Sequence, residues 1–174
     1  RSAMFRSLLA RMPINIGERI PSCKTLRVMK DGEGVVPISV DELFKGKKVV
    51  MFGVPGAFTP GCSKTHCPSF VAGADQLRAK GVDSVVCMAV NDAYVMHAWG
   101  ESQKVGDKIL MVGDGSAELT KSLDVVKDLT DAGLGVRCER FAAIVDDGVV
   151  KHFVLEPPNA GITKTTAEAM LSLL

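Results

Sequence analysis

Gly53-Val54-Pro55-Gly56-Ala57-Phe58-Thr59-Pro60-Gly61-Cys62-Ser63-Lys64-Thr65-His66 follows Val49-Val50-Met51-Phe52, a run apolar on both faces that reads as a buried central strand. Pro55, Gly56, Pro60 and Gly61 exclude regular structure until the chain has turned. Beyond Cys62, the spacing of Phe70, Val71, Ala74 and Leu77 makes one apolar stripe of an amphipathic helix. A thiol therefore falls in the first turn of a helix, at the end of a buried strand. Open backbone N–H groups and the positive end of the helix dipole favour a thiolate there.

The helix end alone is not enough. A free thiol is only a few per cent ionised at neutral pH. A helix terminus contributes typically ~0.3–1 kcal/mol, and about 2 kcal/mol in a partly buried geometry. A cation about 4 Å away, at an effective dielectric of ~20, contributes about 4 kcal/mol before desolvation. An Arg or Lys brought to Cys62 from elsewhere in the chain is therefore expected. Thr59 is expected to hydrogen-bond the thiolate or a substrate oxygen. The plain alternative is a strand–turn–helix connection with an inert buried cysteine.

Pro68 removes a helical hydrogen bond to Lys64 and should kink or interrupt the helix, leaving its first turn marginal. Cys67 lies five residues from Cys62, off its α-helical face, so a disulfide between them would require unwinding. His66 beside two thiols raises a metal site, but that ligand set has poor geometry within one turn, and none is expected.

At 174 residues the chain fits one domain with a sizeable core. A formal net charge of +1 points to neither nucleic acid nor an acidic membrane surface. No apolar run is long enough to span a bilayer. Cysteines 23, 62, 67, 87 and 138 form no paired zinc spacing, and their odd, scattered count suits a reducing compartment, cytoplasmic or mitochondrial. Residues 1–19 read as a tail, with Arg1-Ser2-Ala3 a foreign remnant and Met4 to Met12 weakly like the end of an organellar targeting peptide, or else an ordinary N-terminal segment.

Ile20 to Val28 is a strand candidate, and Cys23 within it a bystander. Ser39-Val40-Asp41-Glu42 is a capping box opening a short helix. Ser84 to Val90 is a second buried strand, with Cys87 as a small core hydrophobe. Asn91-Asp92 caps a helix carrying Tyr94, Val95, Ala98 and Trp99. Ile109 to Val112 is a further strand, after which Asp114 or Ser116 caps Glu118 to Leu123. Arg137 to Val145 reads as one strand, closed by Asp147-Gly148 as a hairpin into Val149 to Leu155. Alternation along it puts Cys138, Arg140 and Ala142 on one face, making Cys138 a candidate accessory thiol if Arg140 faces the pocket. Thr165-x-x-Glu168 is a second capping box opening a C-terminal helix. Alternating strands and helices with one antiparallel hairpin argue an α/β or mixed-sheet sandwich.

Pro55-x-x-x-Thr59-x-x-Cys62 matches the peroxiredoxin signature, and Gly53 to Pro60 resembles the type II, peroxiredoxin-five-like branch. The resemblance extends through Glu42 to Lys48, Val90-Asn91-Asp92, Ala98-Trp99 and Arg140-Phe141. It implies a thioredoxin-like fold, a central mixed sheet flanked by helices, spanning residues 20–174 as a single domain. It also implies a homodimer and a thiol-dependent peroxidase without a cofactor. Cys62 would be the peroxidatic thiol, oxidised by hydrogen peroxide or alkyl hydroperoxides to a sulfenic acid. Arg140 matches the family arginine and becomes the expected cation. Thr59, with backbone N–H groups at Gly61 and Cys62, would serve the leaving oxyanion; Pro55 would shield the thiolate.

The animal relatives carry a resolving cysteine after Gly-Ile/Leu-Thr, whereas Gly161-Ile162-Thr163 is followed here by Lys164. A one-cysteine cycle is expected, regenerated by an external thiol such as glutathione, glutaredoxin or a thioredoxin-like protein. Cys87 is the second candidate, because some plant type II relatives resolve through a cysteine in this strand. A different class of function, a peroxide sensor or relay passing a disulfide to a partner protein, would use the same pocket.

Overall fold

The computed structural model describes residues 13–159 and 161–174. Seven strands form one mixed sheet in the order β2 (Gly34–Pro37), β1 (Arg27–Lys30), β5 (Leu110–Gly113), β4 (Ser84–Ala89), β3 (Lys48–Gly53), β8 (Phe141–Asp146), β9 (Val149–Leu155). The central three, β5, β4 and β3, run parallel, and β8 closes antiparallel on β3. A separate ribbon pairs β6 (Val126–Leu129) with β7 (Gly135–Cys138).

The central strands bury both faces, as their unbroken apolar runs demand. Val49 and Met51 of β3, Val86 and Met88 of β4, and Phe141, Ala143 and Val145 of β8 join one cluster, with α1 (Val40–Phe44) and α4 (Glu118–Ser122) covering it. Val50, Phe52, Val85, Cys87, Ala142 and Ile144 point to the other layer. There α2 (Cys67–Ala79), α3 (Ala93–Gln103) and α5 (Ala167–Leu171) supply Phe70, Leu77, Met96, Trp99 and Met170. Each such large side chain, fully buried, contributes roughly 1.5–3 kcal/mol of transfer free energy.

Local signals set several boundaries. Ser39 accepts from Glu42 N–H while the Glu42 carboxylate accepts from Ser39 N–H, completing the capping box. Asp92 caps α3. Asp147 and Gly148 both take positive φ, at 47° and 76°, as a two-residue hairpin turn requires. Ala117, the residue before α4, gives no side-chain cap; the buried Asp114 carboxylate instead reaches forward to Leu119 and Thr120 N–H.

Four expectations need correction. The expected strand 137–145 is two strands broken at Glu139-Arg140, because Glu139 N–H pairs with the Val125 carbonyl and the Arg140 carbonyl accepts from Glu156 N–H. Residues 20–26 are not a strand: Lys24 and Thr25 N–H donate to the Glu118 carboxylate, which takes the place of a neighbouring strand. The C-terminal helix is capped by Thr166, since Thr165 is engaged with Glu156. Residues 13–19 are held on the body: Ile14 joins the core, Gly17 N–H donates to Val150, and Arg19 bridges Val149. The remnant and targeting-segment readings of residues 1–12 lie outside the described residues.

Candidate active site

Where β3 ends, Gly53 leaves no side chain because a Cβ there would collide with the Phe141 ring and stand 2.9 Å from Cys138 Sγ. The loop that follows is pinned from inside. Val54 N–H donates to the Met88 carbonyl and Ala57 N–H to Asn91 Oδ1 at 2.9 Å. Thr59 Oγ1 donates to the Gly56 carbonyl at 2.7 Å. Its proton is therefore directed away from Cys62, contrary to the expected donation to the thiolate; what remains is a hydroxyl oxygen able to accept. Pro55 is half-buried in the same loop.

The helix does not start as an α-helix. Cys62–His66 forms a π-turn in which Cys67 N–H donates to the Cys62 carbonyl, and α2 begins only at Cys67, with Pro68 in its first turn. Pro68 is the interruption read from the sequence, and a proline is tolerated at a helix start because that N–H has no helical partner. Cys62 is fully buried. Trp99 Nε1 donates to Ser63 Oγ at 3.0 Å and ties the turn to α3.

Arg140, placed by the break between β7 and β8, brings Nη2 to 3.4 Å from Cys62 Sγ. Gly61 makes room: a Cβ there would stand 3.2 Å from Nη2 and 3.3 Å from Ile162 Cδ1. Nη1 of the same guanidinium lies 3.0 Å from His66 Nδ1. A guanidinium only donates, so Nδ1 accepts and the proton of the neutral ring sits on Nε2, which donates to the Thr165 carbonyl at 2.8 Å. Burial, more than the nearby Arg140 charge, lowers the His66 pKa to about 4 and keeps the ring neutral.

Glu156 closes the circuit. Its carboxylate accepts from Thr163, Lys164 and Thr165 N–H and from the Thr165 hydroxyl, and its own N–H donates to the Arg140 carbonyl. Burial pulls this carboxyl upward, but those hydrogen bonds outweigh it and hold it below the usual carboxylate range. The path Arg140–His66–Thr165–Glu156–Arg140 thus fixes the guanidinium from side chain and backbone together.

Sequence reasoning reached Cys62 and Arg140 but missed this support. His66 was weighed only as a metal ligand, although its place four residues after the thiol is one turn along the same helix. Nothing in the sequence marked Glu156. Arg137, which alternation left off the face given to Arg140, brings its Nη1 to 2.9 Å from where a Gly56 Cβ would stand. Cys138 does not share the face of Arg140 and Ala142: it belongs to the opposite core cluster and its thiol donates to the Glu139 carbonyl at 3.0 Å. Cys87 is paired on both sides, opposite Phe52 of β3 and Met111 of β5, and burial pushes its pKa up.

The redoxin family model matches residues 15–171. The chain is 47% identical over 165 residues to peroxiredoxin-2E-2, chloroplastic, of Oryza sativa subsp. japonica, covering 92% of this chain and 72% of that protein. This chain belongs to the redoxin family as a peroxiredoxin of the type II branch. Peroxiredoxin-2B of Arabidopsis thaliana is 45% identical over 93% of the chain and 99% of its own length. Reduced Prx3 from Vibrio vulnificus, solved in complex with hydrogen peroxide, superposes with a TM-score of 0.86 at 45% identity, covering 92% of this peroxiredoxin and 98% of that chain. The mixed sheet with flanking helices is accordingly the thioredoxin-like architecture expected from the motif.

Proposed function

We propose that Cys62 is the peroxidatic thiol of this thiol-dependent peroxidase, with Arg140, Thr59 and the loop at Pro55 completing its site. The observation that carries the reading is the Arg140 guanidinium held 3.4 Å from a fully buried sulfur. Cys62 Sγ attacks the terminal oxygen of a hydroperoxide, the O–O bond breaks, and the alkoxide takes a proton to leave as alcohol or water. The sulfur keeps the terminal OH as a sulfenic acid. Guanidinium N–H bonds not engaged by Sγ and His66, with backbone N–H groups at Gly61 and Cys62, are suited to the developing oxyanion. Thr59, its proton committed to Gly56, acts as an acceptor and orients the peroxide O–H. The Vibrio vulnificus relative solved with hydrogen peroxide supports this substrate class.

Electrons for regeneration come from an external thiol, glutathione, glutaredoxin or a thioredoxin-like protein. Cys87 is the second candidate: it lies in the same buried cluster as Cys62 on a strand paired on both sides, so a Cys62–Cys87 disulfide requires the Cys62 turn to unwind locally. A homodimer would cover Phe58, which is 57% exposed beside the site. Five free, buried thiols suit a reducing compartment, cytoplasmic, mitochondrial or plastidic. Cys62→Ser should abolish peroxide consumption with a thiol reductant while leaving the fold intact; retained turnover refutes the assignment.

A further inference from the structure

We propose that Arg137 selects hydroperoxides that carry a carboxylate, those of long-chain fatty acids, by binding the acid group while the hydroperoxide lies on Cys62. The proposal rests on Cys62 being the peroxidatic residue. It narrows the alkyl hydroperoxide class to an anionic, amphiphilic one and makes Arg137 a specificity-determining residue.

Two arginines reach the loop before Cys62 from one short stretch of chain. Arg140 comes from the inside, with Nη2 3.4 Å from Sγ. Arg137, three residues earlier in β7, covers the loop at Gly56 instead. A Cβ on Gly56 would stand 2.9 Å from Arg137 Nη1 and 3.2 Å from Thr59 Cγ2. Arg137 and Thr59 therefore flank one point of the loop, and Thr59 is the residue given to the peroxide O–H. Gly56 is buried and Arg137 half-buried, so the missing side chain at Gly56 is what admits the guanidinium. The two arginines thus address different parts of one ligand, Arg140 at the sulfur and Arg137 at the rim beyond Thr59.

The Arg137 charge has no anion of its own. Its Nε donates to the Leu134 carbonyl at 2.8 Å, and no carboxylate pairs with the guanidinium among the described residues. Directly across the ribbon stands Lys127, a like charge that destabilises a strand pair. Lys127 Nζ turns to the Glu139 carboxylate at 3.4 Å. The loop adds no acid: from Gly53 to His66 the charged side chain is Lys64. A carboxylate from outside offsets this excess of positive charge, and a guanidinium can hold one through two parallel N–H bonds.

The neighbours of Arg137 suit an amphiphile. Leu134, whose carbonyl it holds, and Val136 are 37% and 43% exposed. Apolar surface on the ribbon that carries the charge takes a carbon chain as well as an acid group.

The test measures the peroxide step alone. Reduced protein, with no reductant present, is mixed with linoleic acid hydroperoxide, with its methyl ester or with hydrogen peroxide. Loss of the Cys62 thiol is timed by rapid quench and mass spectrometry. The ester has the same chain and hydroperoxide but lacks the charge. Wild type should react about fivefold faster with the acid than with the ester, the scale of an ion pair at a half-exposed site. That ratio should fall toward one in Arg137→Met and at high salt, and persist in Arg137→Lys, which keeps the charge. Equal acid and ester rates in wild type, or a preference that survives Arg137→Met, overturn the proposal while leaving Cys62 as the peroxidatic residue. An equal loss with all three peroxides in Arg137→Met marks a structural role and overturns it too. Should Arg137→Met fail to fold, Gly56→Ala decides: its Cβ displaces the guanidinium and must lower the same acid-to-ester ratio. No oxidation of Cys62 by any of the three peroxides overturns both readings.

Discussion

Protonating His66 should loosen both the fold and the arginine it holds. The ring is fully buried, tilted against the stacked pair Phe52 and Phe70 with centroids at 5.0 and 5.7 Å, and its pKa is about 4 against an ordinary 6.5. As pH falls the unfolded chain takes up this proton first. The stability is therefore fully present above pH 6.5 and is lost as pH falls toward 4. Between pH 7.5 and pH 5 the loss is about 2 kcal/mol, from the two pKa values and ~1.36 kcal/mol per unit. With a urea slope of ~2 kcal/mol per molar, the unfolding midpoint should drop by about 1 M. Glu156 acts in the same direction but only below the ordinary carboxyl pKa of 4.5, so the window from 6.5 to 5 isolates His66. The assay is urea unfolding at a series of pH values for wild type and His66→Phe, whose ring can pack against the same two phenylalanines. A flat wild-type midpoint over that window, or an equal slope in the variant, refutes the reasoning.

Arg140→Gln removes a charge 3.4 Å from Sγ, a gross interaction of about 5 kcal/mol at an effective dielectric of ~20. After solvation offsets this, a hydrogen bond to a charged group is worth about 1.5–3 kcal/mol. Iodoacetamide alkylation of Cys62 at pH 7 should therefore slow by roughly tenfold to a hundredfold; an unchanged rate contradicts the role given to the guanidinium. Gly61→Ala is compatible with its helical φ of −64° and should hold or raise thermal stability. Its Cβ nevertheless crowds Nη2, and peroxide turnover should fall by about tenfold, a displacement of ~1.4 kcal/mol in the barrier. Glu156→Gln should destabilise by about 2 kcal/mol, the loss of charge-assisted bonds to the 163–165 backbone, and lower turnover in parallel, measured by denaturant unfolding and steady-state assay.

The central strands were legible because both faces of β3 and β4 are apolar and no polar period competes. The capping boxes were less secure: Ser39 acts as read, whereas Thr165 is drawn to Glu156, a partner nine residues away that no local pattern reveals. Arg140 was correctly paired with Cys62, but by a route the fold does not take. Alternation along one continuous strand would have carried Cys138 with it, and the break at Glu139-Arg140 turns the two side chains into different layers. The break is set by long-range partners, Val125 and Glu156, and so leaves no trace in strand propensity. His66 was visible as a residue type near the thiol. Its role depends on which side of the helix start it occupies, and the π-turn sets that.

The closed path through Glu156 and Thr165 makes the far end of the chain part of the proposed site at its middle. During synthesis Cys62 emerges long before Arg140, and Arg140 before the segment that aims it. A nascent or truncated chain ending short of Glu156 would carry Cys62 and Arg140 without the carboxylate that closes the path between them. The guanidinium is aimed last, once the C-terminal strand and helix are in place.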